Sequence, residues 1–143
     1  MRVLIDTNLF IAYLLKPDEN SFIPLVLDAV IGGDVTLLLP ELLLDEIEKT
    51  IQQKPYLSKK ITKTELTTFL DLLKLIGEEI PVIEQTIPHI TRDEKDDYLI
   101  AYAVVGQADY LISGDKDLLV LERMQQVSIV TSGEFRQVLN HLS

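Results

Sequence analysis

Short apolar runs alternate with helical-period segments along most of this chain. Val3, Leu4 and Ile5 form a continuous apolar run, as strands buried on both faces do. Asp6 ends the run. Thr7 and Asn8 then offer N-cap side chains to a helix carrying Leu9, Phe10, Ile11, Leu14 and Leu15. After a Lys16–Asn20 loop, Ser21 to Ile31 has helical spacing, with Pro24 in its first turn and Gly32-Gly33 as its stop. Val35–Leu39 is a second strand, and a helix from Glu41 to about Gln53 follows Pro40 and ends before Pro55. Tyr56–Ile61 reads as a connector.

Thr62 and Glu65 have capping-box spacing ahead of a helix through Leu66, Phe69, Leu70, Leu73 and Ile76, closed by Gly77. Ile80–Ile83 is a weaker third strand, and Pro81 favours an edge position for it. Thr91 and Glu94 have the spacing of a second capping box for a helix to about Val105, stopped at Gly106. Tyr110–Ile112 is a fourth strand, Lys116–Leu121 a short helix and Val127–Val130 a fifth strand. Thr131 or Ser132 caps the last helix, through Phe135, Val138 and Leu139. Strands alternating with helices indicate βαβ units and a doubly wound, parallel α/β sheet. No linker-like tract or repeat divides the sequence, so residues 1–143 are expected to form one domain.

Composition narrows the chemistry. The sequence of 143 residues holds no cysteine, which excludes a disulfide framework, a thiolate metal site and a cysteine nucleophile. No basic segment followed by an apolar one opens it, and no apolar run approaches the roughly 20 residues that span a bilayer. The expectation is a cytoplasmic enzyme or binding domain with no membrane partner. The formal net charge of −10 lacks the basic footprint usual for nucleic-acid binding. Acids clustered around cations would reconcile that charge with a nucleic-acid substrate, because bound divalent metals invert the local field. A basic protein partner fits the charge equally well.

The acids deserve separate treatment. Asp6 stands at the carboxyl end of a strand, where open α/β sheets place their ligands, and it is also an ordinary helix cap. Asp115 follows the Tyr110–Ile112 strand through Ser113-Gly114, with Asp117 two residues on, and turn chemistry is its ordinary reading. On the third helix Leu43, Ile47 and Ile51 form the apolar stripe. Glu46 lies roughly 60° from Leu43 at the border of that stripe, while Asp45, Glu48, Lys49 and Gln52 face outward. Asp96 shares a face with Leu99, Ile100 and Ala103, whereas Asp93 and Asp97 lie nearer the border. Acids in a first helical turn suit the macrodipole, but that does not explain why one points inward. Four such acids in one cleft would repel one another, and Mg²⁺ or Mn²⁺ would remove the conflict. An all-carboxylate metal site suits hydrolysis of phosphodiesters with an activated water.

At these residues the sequence resembles the PIN-domain nucleases, specifically the toxin branch related to VapC toxins. Val3–Asn8 resembles the family's opening motif, which implies Asp6 as the first metal ligand. The segment 40–47 resembles the second and implies Glu46. The segment 92–103 resembles the third and implies Asp96 as the catalytic acid. The segment 108–119 resembles the fourth and implies Asp115, with Asp117 as a supporting acid. Val127–Thr131 and Glu134-Phe135 resemble the closing strand and helix. The resemblance implies a Rossmann-like three-layer α/β/α sandwich around a mainly parallel five-stranded sheet. It implies a Mg²⁺/Mn²⁺-dependent endoribonuclease, held inactive by a cognate antitoxin and commonly dimeric. Pro40 departs from the small polar residue many relatives carry, and Asp97 stands where Asn often follows the catalytic acid.

Supporting roles remain open between function and structure. Thr7 and Asn8 either orient Asp6 or cap the helix. Ser113 is either a water or phosphate ligand or a turn residue. Arg92, Lys95 and Lys116 are candidates for phosphate contacts, or solvated surface charges. Tyr56, Tyr98 and Tyr102 are candidates for base stacking, Tyr102 fitting core or interface better. His89 and His141 lie outside the motifs. Two other classes compete: a non-catalytic PIN-like module that binds RNA or protein, and an aspartyl-phosphate receiver. The receiver is disfavoured, since no second Asp follows Asp6 two residues on and the later strands lack a Thr and Lys pair.

Overall fold

The computed structural model describes residues 1–142; Ser143 lies outside the described residues. Six strands form one sheet: β1 (Arg2–Ile5), β2 (Thr36–Pro40), β3 (Glu78–Ile80), β4 (Tyr110–Ile112), β5 (Arg123–Met124) and β6 (Val127–Val130), in the order β3-β2-β1-β4-β6-β5. All neighbours are parallel except β5 and β6. Eight helices complete the fold: α1 (Thr7–Leu15), α2 (Phe22–Ile31), α3 (Glu41–Gln53), α4 (Pro55–Ser58), α5 (Lys63–Ile76), α6 (Glu94–Val105), α7 (Lys116–Leu119) and α8 (Ser132–Asn140). A 3₁₀ turn at Pro17–Glu19 fills the expected loop, and α4 occupies part of the expected connector.

β1 lies in the centre because both its faces are apolar. Val3, Leu4 and Ile5 are fully buried, as are Leu37, Leu38 and Leu39 of the neighbouring β2. Aromatic contacts fasten helices to one another: Phe10 of α1 meets Phe69 of α5 edge-on at 5.9 Å, and Phe22 of α2 meets Phe135 of α8 at 6.4 Å. At the amino ends of the strands Arg2 acts as a clasp. Its Nε donates to Gly106 O at 3.0 Å, its guanidinium pairs with Glu78 of β3, and its backbone N–H donates to Asp109 Oδ2 at 2.8 Å.

The sheet has six strands where five were expected. The extra strand, β5, is two residues long and folds back on β6 through Gln125-Gln126, with Gln125 at φ 53°. Glutamines carry none of the Asn/Gly signal of a two-residue hairpin turn. β3 falls at Glu78–Ile80 rather than Ile80–Ile83, although at the expected edge. It ends before Pro81, which has no N–H to donate to a ladder.

Two helix starts also differ. Thr7 and Asn8 are already inside α1, and Asp6 holds the N-cap position without a side-chain cap bond. Thr91 and Glu94 do not form a capping box. Asp93 is the N-cap of α6, accepting from the Lys95 N–H at 2.9 Å, because Thr91 is drawn to Asp97 instead. The Thr62/Glu65 box forms as expected, and Thr131 caps α8 in a box with Glu134.

Gly106 marks the tightest approach of α6 to the sheet. A Cβ there would lie 2.7 Å from Ile80 Cδ1, 2.9 Å from Tyr102 O and 3.1 Å from Leu38 Cδ1. Gly106→Ala is therefore expected to destabilise the protein by about 1–3 kcal/mol, lowering Tm by about 3–10 °C. Gly133→Ala, whose Cβ would have Thr131 Oγ1 at 3.9 Å as its neighbour, should leave Tm unchanged or raise it. Calorimetric melts of the two variants check both outcomes.

Candidate metal centre

The strand order reverses between β1 and β4, so their carboxyl ends flank the crevice where doubly wound sheets bind ligands. Ile5 pairs with Ile112, and the Asp6 N–H extends the ladder to Ile112 O at 2.9 Å. That register sets Asp6 beside Ser113. The Ser113 hydroxyl, fully buried, donates to Asp6 Oδ2 at 2.8 Å and accepts from the Asp115 N–H at 3.0 Å. One side chain thus fixes the acids that end two strands. Asp6 has its carboxylate committed to the crevice rather than to capping α1, whereas Asp115 does cap α7, its Oδ1 accepting from the Asp117 N–H at 2.9 Å.

α6 brings the third acid. Asp96 sits in its first turn facing inward, 4% exposed, and its Oδ2 is buried with no hydrogen-bond donor. Carboxylate oxygens of Asp96, Asp115 and Asp117 lie within 4.8 Å of one another. Burial, then the charge of Asp115 and a proton shared with it, then Asp93 and Asp6, push the Asp96 carboxyl up to about 7. Burial also raises Asp6. The Ser113 hydrogen bond offsets part of that rise, while the charges of Glu46 and Asp115 add to it.

α3 supplies Glu46 at the border of its buried face, as its helical phase predicted. Its side chain is 28% exposed; Oε2 accepts from the Thr7 hydroxyl at 3.3 Å and Oε1 lies 3.5 Å from Lys95 Nζ. Thr7 is buried and holds Glu46 rather than Asp6, and Asn8 is exposed. The crevice therefore has a tight triplet of Asp96, Asp115 and Asp117, with Asp6 and Glu46 outside it but within its electrostatic reach. Asp117, a supporting acid by sequence, is nearer the triplet's centre than its exposed turn position suggested.

Asp97 does not join this group. It was expected near the helix border, yet it is as buried as Asp96, because the Ile90–Thr91 backbone folds over it. Its Oδ1 accepts from the N–H groups of Ile90 and Thr91 at 2.9 and 2.7 Å and from the Thr91 hydroxyl at 3.0 Å, and His89 Nδ1 lies 3.3 Å from Oδ2. Burial alone would raise its pKa; the hydrogen bonds from Thr91, Ile90 and His89 outweigh that and lower it. Asp97 thus anchors the segment entering α6. The sequence held one signal for it, a Thr six residues before an acid, too weak to stand out.

The basic candidates sit at the rim. Arg92 Nη2 is 3.7 Å from Asp117 Oδ1 and Lys95 reaches Glu46, both bases being well exposed, and Lys116 is exposed at the start of α7. Tyr102 is core, its hydroxyl accepting from the Ile83 N–H at 3.1 Å, while Tyr98 and Tyr56 are exposed.

These residues fit a hard divalent cation. The donors are all carboxylate oxygens, three acids already converge, and one buried oxygen among them has no partner. Neither rim cation contacts Asp6 or Asp96.

A family model described as PIN domain matches residues 2–117. Among solved structures, that of the PIN domain endonuclease Utp24 superposes with a TM-score of 0.53 over 91% of this chain and 84% of that one, at 17% identity. That likeness is one of fold. No curated protein matches the sequence.

The raised carboxyl of Asp96 has a consequence for stability. Its folded pKa of about 7 exceeds the ordinary 3.8, so the folded state binds more protons between those values. Stability contributed by this group is then full below pH 4, is lost as pH rises towards 7, and stays lost above. In EDTA at pH 8, Asp96→Asn is expected to raise Tm by about 2–6 °C and to flatten the fall between pH 4 and 7. Mn²⁺ should raise Tm of the unsubstituted protein and leave that of the variant nearly unmoved. Melts across pH, with and without Mn²⁺, read all three effects.

Proposed function

The chain belongs to the PIN domain family, and from that premise we propose that it is a Mg²⁺- or Mn²⁺-dependent endoribonuclease. The observation that carries the proposal is the partnerless buried oxygen of Asp96 inside a carboxylate triplet at the switch point of the sheet. A non-catalytic module has no use for acids crowded and desolvated at that point.

Asp96, Asp115 and Asp117 hold the cation, and Asp6 and Glu46 complete the acidic wall. When bound, the cation supplies an activated water and neutralises charge on the leaving oxygen. Before it binds, the Asp96 carboxyl keeps a proton between itself and Asp115; that proton leaves on loading. Ser113 keeps Asp6 and the start of α7 in register. Thr7 holds Glu46 against the crevice. Lys95, Arg92 and Lys116 stand where they can take non-bridging phosphate oxygens and draw the RNA backbone to an otherwise acidic surface. No side chain is needed as nucleophile: water attacks phosphorus and the bond to the leaving ribose oxygen breaks.

The likeness of residues 2–10, 40–47, 92–103 and 108–119 to VapC-type toxins supports a narrower role. In that role the enzyme is the toxin of a toxin–antitoxin pair, works in the cytoplasm as a homodimer, and is silenced by a cognate antitoxin protein.

Purified protein is expected to cut single-stranded RNA in Mn²⁺. Activity should vanish in EDTA and fall about 100-fold or more in Asp6→Asn and Asp96→Asn, while Ser113→Ala should lose about tenfold by loosening Asp6. Cleavage surviving EDTA and both acid variants would refute the metal site. Growth of cells expressing the chain separates the narrower role: arrest by the unsubstituted protein, relieved by Asp6→Asn, is expected of a toxin.

A further inference from the structure

An apolar groove of about 300 Å³ opens beside the acids, between α3 and α6. Leu43, Leu99 and Tyr102 are buried at its base, whereas Leu42 and the Tyr98 ring are 40% and 39% exposed on opposite lips. Glu46 and Lys95 line it as well, so the groove continues directly from the acidic crevice. From Glu46 to Gln53 it follows α3 for two turns, about 10 Å.

Three observations define an occupant. An exposed aromatic face opposite an aliphatic side chain is a slot for a flat ring. Lys49 and Lys95 stand at the mouth, where a chain of net charge −10 has few bases to spare for phosphates. Thr50 and Gln53 offer polar groups to the edge of whatever lies inside. The volume accepts one ring with its sugar. An amphipathic protein helix is about 10–12 Å wide and anchors through residues spread over two or more turns, which this slot is too small to receive.

We propose that the groove is a subsite for one unpaired base next to the phosphate being cut, stacked between Tyr98 and Leu42, with Lys95 on the adjoining phosphate. The proposal rests on the nuclease function above and adds its substrate form: a base paired in a duplex cannot enter, so the enzyme selects single-stranded or looped RNA. Tyr98 is then a substrate-binding residue and Leu42 its partner.

The test measures binding apart from cleavage. A fluorescein-labelled single-stranded RNA decamer is titrated in Mg²⁺ into the Asp6→Asn protein, which binds without cutting. Adding Tyr98→Ala should weaken Kd by about 5- to 100-fold, the worth of one stacked base. Tyr98→Phe should bind within about twofold of its parent, Leu42→Ala should weaken binding in the same direction, and a duplex decamer should bind weakly and ignore Tyr98→Ala. Both lip residues are exposed, so unchanged melting temperatures are expected and confirm folding. Equal affinity of Tyr98→Ala for the single strand, or an equal loss on the duplex, overturns the subsite; equal affinity leaves the groove to a protein segment. If the unsubstituted protein cuts no RNA while Tyr98→Ala still weakens binding, the nuclease function fails and the subsite stands.

Discussion

Like-charge crowding at the carboxyl ends of β1 and β4 is the constraint on which the site depends. Buried carboxylates without cations raise one another's pKa, and each costs several kcal/mol of desolvation if it ionises alone. This chain has Lys95 and Arg92 within reach, yet both meet only the more exposed acids, Glu46 and Asp117. Asp6 and Asp96, the buried pair, are given a hydroxyl and nothing, respectively. Elsewhere the chain satisfies its buried acid fully: Asp97, one residue from Asp96, receives three hydrogen bonds to a single oxygen. The contrast between adjacent residues is hard to reconcile with a structural role for Asp96.

Much of the fold was legible because local pattern and tertiary environment agreed. β1 and β2 are buried on both faces and read as unbroken apolar runs; α3 and α5 carried the right phase and stops. The failures come where they disagreed. β3 contains two glutamates and pairs only because Gly77 turns α5 directly into an edge strand. β5 has no propensity of its own and exists as the return arm of β6. Thr91 has a capping-box partner in Glu94, but a buried acid six residues on was the stronger acceptor. No local window contains that comparison.

The site divides in the same way. Helical phase alone turned Asp96 inward and set Glu46 at the border, since both facts follow from 100° per residue. Parallel register put Asp6 beside Ser113, and strand ends are visible in sequence. What was not legible is the ranking among the acids. Asp117 joins Asp96 and Asp115 because Asp115 spends one oxygen capping α7, which curls the next residues into the crevice. Asp97 leaves because the 90–91 backbone passes over it. Both depend on turns whose shape is set by tertiary contact.

The charge of the chain then bears on how it would meet RNA. Binding driven by counterion release needs many bases along a backbone. Here 13 bases face 23 acids, and those near the crevice are few. Affinity on the proposed function must come from contacts that do not scale with length: the cation in the acidic triplet, two or three rim bases, and a stacked ring. Stacking is indifferent to net charge and available only to an unpaired base. An acidic surface that repels the flanking backbone, joined to a slot beside the acids, favours substrates that present one flexible, unpaired segment. Charge, which at first argued against a nucleic acid, thereby becomes part of how a single-stranded one is distinguished from a duplex.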